Sequence, residues 1–325
     1  MDAVFDFLAP VGLNETNFQF MLIAAILGCS IYVTLYGGMF SLANAGFMAI
    51  GTYVSVVLTQ RYDWPFVPAI IAGMVAGGLI AIIVGLPVLR LSDIYLAIAT
   101  IGFGEVVVVL IRNFDRIYEE IFDKKIEITG GGKGIKNIPV TTDTLHLIIF
   151  LLIVVYFLYR MQHSRFGRAL AAIRQDETVA ANLGINVVYY KNVAFIIGAM
   201  IAAGAGGLSG HLNRVIEPDD YDFDRAVDIL TYAVLGGTTF FIGPVVGGMV
   251  LRYLPELLRR LKVLSFVGSI VGRDLTNEQA AVDGIINGIV LILFIVYLPG
   301  GLADPQLWKS LYRRLRPNNT QKGAP

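Results

Sequence analysis

Lys133 closes a run of three glycines in Thr129-Gly130-Gly131-Gly132-Lys133-Gly134, and a lysine behind a glycine turn is an arrangement that holds phosphate. The spacing denies that chemistry. A phosphate loop needs a glycine five residues before its Gly-Lys pair and a Ser or Thr directly after it; Glu127 and Gly134 stand there. The run reads instead as a flexible, glycine-rich connection. His146, His163 and His211 lie far apart in sequence, with no metal-ligand spacing. Neither Cys-x-x-Cys nor His-Glu-x-x-His occurs, and no serine has a Gly-x-Ser-x-Gly setting. The single cysteine, Cys29, lies in an apolar run and reads as a buried, inert thiol. Enzymatic chemistry therefore finds no support here, and a nucleotide or metal site is not expected on this chain.

Two other polar groups stand inside apolar runs. Glu105, in Ile101-Gly102-Phe103-Gly104-Glu105-Val106, is an ionisable group where a bilayer makes charge expensive. It is a functional candidate, expected to face the protein interior or a sibling subunit. The bland alternative is a structural carboxyl tied to backbone. Asn44, with Ser41 close by, sits among small residues and either lines a polar path or ties an irregular stretch together. A third feature is Ser164 to Gly184. Phe166, Leu170, Ile173 and Ala180 recur at helical spacing on one face, interrupted by Glu177, with Arg168 and Arg174 elsewhere. Gly184 suits the left-handed position after a helix. A capped amphipathic helix between two apolar spans offers a soluble partner something to grip. A helix lying on lipid is the alternative, and the small residues Ala171, Ala172, Ala180 and Ala181 favour a protein surface.

The elements that carry these residues are membrane spans. The chain of 325 residues is 56% hydrophobic and 15% charged, with mean hydropathy +0.68, against roughly 25% charge in soluble domains. Its net charge of zero gives no bulk field for nucleic acid. The first sixteen residues lack Lys and Arg, so no signal peptide is expected. Apolar runs predict spans at Phe18–Tyr36, Phe40–Thr59, Phe66–Leu89, Ile94–Ile111, Leu145–Tyr159, Tyr189–Leu212 and Gly284–Leu298. The second, two residues behind the first across Gly37-Gly38, is expected to begin partway down the bilayer. Ala226–Leu258 is broken by Gly236-Gly237 and Gly243-Pro244 and reads as two half-helices meeting at a turn near the membrane interior. The expected fold is all-α, with about seven or eight spanning helices plus broken or re-entrant half-helices.

Residues 18–304 are read as a single transmembrane domain after a short segment, 1–17. The basic stretches 160–191 and 305–325 fall in the cytoplasm by the positive-inside rule. That puts loop 112–143 outside, although its six cations weigh against the rule. The acidic stretch Arg214–Asp224 reads as a second long loop.

The ordered set of motifs resembles branched-chain amino acid ABC transporter permeases. It begins with Tyr36-Gly37-Gly38-Met39-Phe40-Ser41-Leu42-Ala43-Asn44-Ala45-Gly46-Phe47, then Tyr95-Leu96-Ala97 and Phe103-Gly104-Glu105, then Thr129-Gly130-Gly131. It continues with Ser164-Arg165-Phe166-Gly167-Arg168-Ala169-Leu170 through Gly184-Ile185, and with Val234-Leu235-Gly236-Gly237, Gly243-Pro244, Leu254-Pro255-Glu256 and Pro299-Gly300-Gly301-Leu302. The likeness spans residues 20–302 and is closer to the M-type than the H-type subunit. Departures are Asn44, where the family commonly has histidine, Met39, and a shortened or absent N-terminal helix.

The resemblance implies a multi-pass permease of the cell (inner) membrane. Its partners would be an H-type permease, two cytoplasmic ATPases and an extracytoplasmic binding protein, with ATP and Mg on the ATPases and no cofactor here. It further implies ATPase coupling by Phe166, Arg168, Leu170, Ile173, Glu177 and Gly184, and a path near Ser41, Asn44, Glu105, Gly236 and Gly237. The solute would be a branched-chain or other small neutral amino acid. Urea and amide importers share the pattern. An ATP-independent secondary transporter or channel is the alternative from another class.

Overall fold

The computed structural model describes residues 14–91, 93–123 and 128–260, together with 288 and 292. The expected span Gly284–Leu298 lies outside them apart from those two residues, as do the tail 305–325 and most of segment 1–17.

Ten helices carry the described chain: α1 (Glu15–Tyr36), α2 (Asn44–Tyr62), α3 (Phe66–Val88), α4 (Asp93–Phe122), α5 (Thr144–His163), α6 (Arg165–Gln175), α7 (Glu177–Asn182), α8 (Val187–Gly210), α9 (Phe223–Gly236) and α10 (Gly243–Arg260). Five of them, α1, α3, α4, α5 and α8, are long and apolar enough to cross a membrane. Two short strands, β1 (Ile135–Lys136) and β2 (Val215–Ile216), pair antiparallel.

Successive helices run up and down. One end of the bundle carries the end of α1, the α5–α6 corner, α6, α7 and the α9–α10 turn. The other, far end carries the start of α1, β1, β2 and residues 211–217. At the far end the Thr144 hydroxyl donates to Glu15 Oε1 at 2.8 Å, and the Ile138 N–H donates to the Arg214 carbonyl at 3.2 Å.

Small residues let the central helices approach. A Cβ on Gly51 of α2 would lie 2.0 Å from the Ala203 carbonyl oxygen of α8, and one on Gly206 would lie 2.1 Å from that of Met48. Backbones this close need glycine at the crossing. Phe47 fills the neighbouring space, 5.0 Å from the Phe103 ring and 5.4 Å from Phe195. The outer faces are apolar: Ile71, Val75, Leu79 and Ile83 on α3, and Leu152 and Ile153 on α5, are exposed. Such surfaces match hydrocarbon, since each helix satisfies its own backbone.

α2 begins at Asn44, four residues later than the sequence predicts, because 37–43 form an irregular connection. Asn44 reaches Ser30, six residues before the end of α1, so α2 does start partway along its neighbour. The segment 164–184 is two helices, not one. Asp176 turns extended (φ −160°, ψ 113°) and its carboxylate caps α7 by accepting from Thr178 N–H and Val179 N–H. An aspartate in that role ends one helix by starting the next.

Candidate translocation site and coupling surface

Glu105 is the thirteenth residue of α4, about 18 Å along it at 1.5 Å per residue. Of the two settings expected for it, this chain's own core is not the one it takes: its side chain is exposed on the chain's surface. It is not idle there, for Oε1 accepts the Phe223 N–H at 3.1 Å. Phe223 is the first residue of α9, whose N-cap is Asp222, accepting from Arg225 N–H at 3.3 Å. Two carboxylates thus meet the unsatisfied donors and positive dipole end of α9, the electrostatics such an end favours.

The acidic stretch packs on the bundle through Pro218 and Tyr221, which are buried, while Glu217, Asp219, Asp220 and Asp224 stay exposed. The Pro218–Tyr221 turn runs alongside α4. Arg112 and Asp219 form an ion pair, and Tyr221 places its ring 6.2 Å from that of Tyr53, midway along α2. Its polar groups are bonded locally: Asp220 accepts from the Glu217 N–H at 3.1 Å, and its carbonyl accepts from Arg225 Nε at 3.1 Å. Local satisfaction lets irregular backbone enter at this depth. The buried Tyr53 hydroxyl has no hydrogen-bond partner among the described residues.

Asn44 and Ser41 are buried. Asn44 Nδ2 donates to Ser30 Oγ at 2.8 Å, Ser41 Oγ accepts from Ala43 N–H at 3.4 Å, and the Leu42 N–H donates to Thr100 Oγ1 at 2.9 Å. These bonds satisfy the irregular 37–43 stretch. A Cβ on Gly46 would stand 3.1 Å from the Gly104 Cα, so the start of α2 lies at the level of Glu105.

Gly236 and Gly237 do end a half-helix. Gly237 has φ +94°, and a Cβ on Gly236 would stand 1.9 Å from the Gly243 oxygen. Pro244 is the second residue of α10, where a missing donor costs little. The expected depth is corrected. The turn lies at the α6 end, where Arg174 Nη2 donates to Thr238 Oγ1 at 3.2 Å and Gln162 Nε2 to the Thr239 carbonyl at 3.2 Å. The turn's polar groups find partners there. The end of α9 that lies at the level of Glu105 is its start.

On the coupling segment, Leu170 and Ile173 are buried, and Leu170 packs against Gly37. They face the bundle because an apolar stripe buries against the nearest apolar surface. Phe166 is half-buried on the Tyr190 ring at 5.5 Å. Arg168 is exposed and donates to the His163 carbonyl at 3.2 Å. Glu177 pairs with Lys191, a buried cation on α8. Gly184 has φ +84°, with nothing within 4 Å of where a Cβ would be. The outward apolar residues are ones the sequence reading passed over: Val179, Leu183, Val188 and Tyr189, of which Leu183 is 75% exposed. Spacing i, i+4 with Ala180 turned inward was their signal.

At the far end, His211 caps α8. Its ring nitrogens lie 2.8 Å from the Gly207 carbonyl and 2.8 Å from Thr59 Oγ1. Burial pushes its pKa down, and the bond to Gly207 opposes that in part.

A bundle with broken helices, a buried polar break and an amphipathic helical pair at one end defines a membrane permease. The profile of the family "Branched-chain amino acid transport system / permease component" matches residues 16–295, and the chain belongs to that family. It is 29% identical over 321 residues to the high-affinity branched-chain amino acid transport system permease protein LivM of Salmonella typhimurium, covering 86% of this chain and 68% of that one. LivH of the same organism is 28% identical over 241 residues, covering 68% and 77%. The D-allose transport system permease protein AlsC of Escherichia coli is 25% identical over 301 residues, covering 88% and 89%.

Proposed function

We propose that this chain is the M-type permease subunit of an ATP-binding-cassette importer in the cell (inner) membrane. It works beside an H-type permease, two cytoplasmic ATPases and an extracytoplasmic binding protein. The observation that carries this reading is the exposed helical pair α6–α7 at one end of a membrane bundle, hydrogen-bonded to the turn of a broken helix pair. A self-sufficient carrier has no need of such a surface. The ATPase docks on Arg168, Val179 and Leu183, while Leu170 and Ile173 carry its motion inward by packing on the bundle.

The solute is leucine, isoleucine or valine, in keeping with the names of the LivM and LivH relatives. The likeness to AlsC supports a second reading, another small neutral solute. Glu105 and the start of α9 form one wall of the path. At that depth an exposed carboxylate facing lipid costs roughly 2.5 kcal/mol or more, so a sibling subunit or water covers it. Asn44 and Ser41 brace the break beside it.

Co-purification with neighbouring ATPase and permease chains, followed by uptake of labelled leucine into proteoliposomes with ATP inside, tests this. ATP-dependent uptake that requires the binding protein is expected. Uptake persisting without ATP would make the chain a secondary carrier or channel.

A further inference from the structure

α9 joins the two candidate regions. Its C-terminal turn is held at the α6 end by Arg174, which reaches Thr238 through Nη2 to Oγ1 at 3.2 Å and Nη1 to the carbonyl at 3.4 Å, and by Gln162 on Thr239. Its N-terminal N–H is held at the chain's surface, midway along α4, by Glu105 at 3.1 Å. Between them runs a single helix of 14 residues, about 21 Å long. The base of α6 is seated as well, for a Cβ on Gly38 would lie 3.1 Å from the Arg174 Cα. A shift of Arg174 therefore presses on the Gly37–Gly38 connection and either carries Thr238 with it or gives up its bonds there.

From this we infer that Arg174 is a positioning residue that couples α6 to α9, so that displacement of α6 draws on α9 and opens the Phe223–Glu105 bond. The inference rests on the importer reading and adds the route by which the docking surface reaches the path. The joints suit the task. All three are exposed or partly exposed side-chain bonds, which exchange with water at little net cost. α9 between them keeps its length, because its own hydrogen bonds are internal. The neighbouring α1 is close to this rod: a Cβ on Gly28 would lie 3.2 Å from the Tyr232 Cβ.

The test uses the complete transporter, with its partner permease, ATPases and binding protein, reconstituted in proteoliposomes. Solute taken up per ATP hydrolysed is compared among the parent, Arg174→Ala, Thr238→Val and the double variant. The expected result is intact assembly and binding-protein-stimulated ATPase activity, with uptake per ATP at least fivefold lower in Arg174→Ala. Thr238→Val removes only the hydroxyl and should lower it about twofold, and the double variant should be no worse than Arg174→Ala alone. Arg174→Lys should recover part of the loss. Thr238→Val keeps the inference falsifiable should Arg174→Ala fail to assemble, since Thr238 lies on the permease turn. A parent-like ratio in Arg174→Ala, a parent-like ratio in Thr238→Val should Arg174→Ala fail to assemble, or a loss in Arg174→Ala that comes entirely from lost ATPase binding, would overturn it. A parent chain that binds no ATPase would instead sink the importer reading.

Discussion

The two ends of the bundle are joined by different kinds of bond. At the far end the joints are largely buried or run between backbones: Thr141 N–H to the His211 carbonyl at 3.2 Å, the β1–β2 pair, Thr142 Oγ1 to the Leu208 carbonyl at 2.9 Å, and Gln19 Nε2 to Thr144 Oγ1 at 2.9 Å. At the α6 end they are mostly exposed side-chain bonds, from Arg168, Arg174 and Gln162. Breaking a buried hydrogen bond strands a desolvated partner, whereas an exposed group turns to water. One end is therefore a stitched frame. The other has the exposed joints from which conformational change is more readily drawn. The frame gives the α6 end something to move against.

Gly134→Val would break the frame and is expected to have the largest effect. Gly134 has φ +65°, and a Cβ there would stand 1.9 Å from the Ile216 oxygen. Left-handed strain and the clash with β2 together cost about 3 kcal/mol or more. Yield of detergent-stable protein and its Tm measure this, and a parent-like Tm would mean that β1–β2 does not hold the far end.

Glu177→Gln sharpens the comparison from the other side, since the α6 end has a part-buried ionic joint. It leaves the Lys191 ammonium, 9% exposed, without its carboxylate. The cost is roughly 1–2 kcal/mol after discounting for the exposure of Glu177. Hydrogen exchange should rise in 177–183 and stay unchanged at 135–144. A rise at both would erase the distinction between the ends.

Gly184→Val should cost roughly 1 kcal/mol, from left-handed strain alone, because no atom stands in the way. A local effect on α7 without loss of fold, seen by circular dichroism and thermal melting, is the expected outcome.

The smallest effect is a pH dependence at the frame. The His211 pKa is lowered by burial, so the unfolded chain binds the proton more readily than the folded one. The stability it contributes is complete above the ordinary histidine value of about 6.5 and is lost as pH falls through the lower, folded value. Tm should decline on acidification with a component that His211→Asn removes. An identical decline in that variant would assign the effect elsewhere.

What the sequence could say follows the range of the interactions involved. The break at Gly236-Gly237 and Gly243-Pro244 was legible, because backbone chemistry is local. Its depth was not, for it is set by Arg174 and Thr238, 64 residues apart. The stretch 214–224 read as a second long loop on its acid content; what the sequence did not show is that Pro218 and Tyr221 are buried while Arg112, Arg225 and backbone N–H groups meet its oxygens. Glu105 stood out as a charge in an apolar run, but its partner lies 118 residues away. Periodicity found the apolar face of α6 without saying that it turns inward, and so the outward residues Val179 and Leu183 went unnoticed.

Photocrosslinking from positions 179 and 183 in native membranes, during turnover, tests the central claim that the α6–α7 end receives the ATPase. The account predicts an adduct with the ATPase whose yield changes when ATP is trapped in its unhydrolysed state. Adducts with lipid or with the binding protein alone, and none with an ATPase in any state, would contradict it.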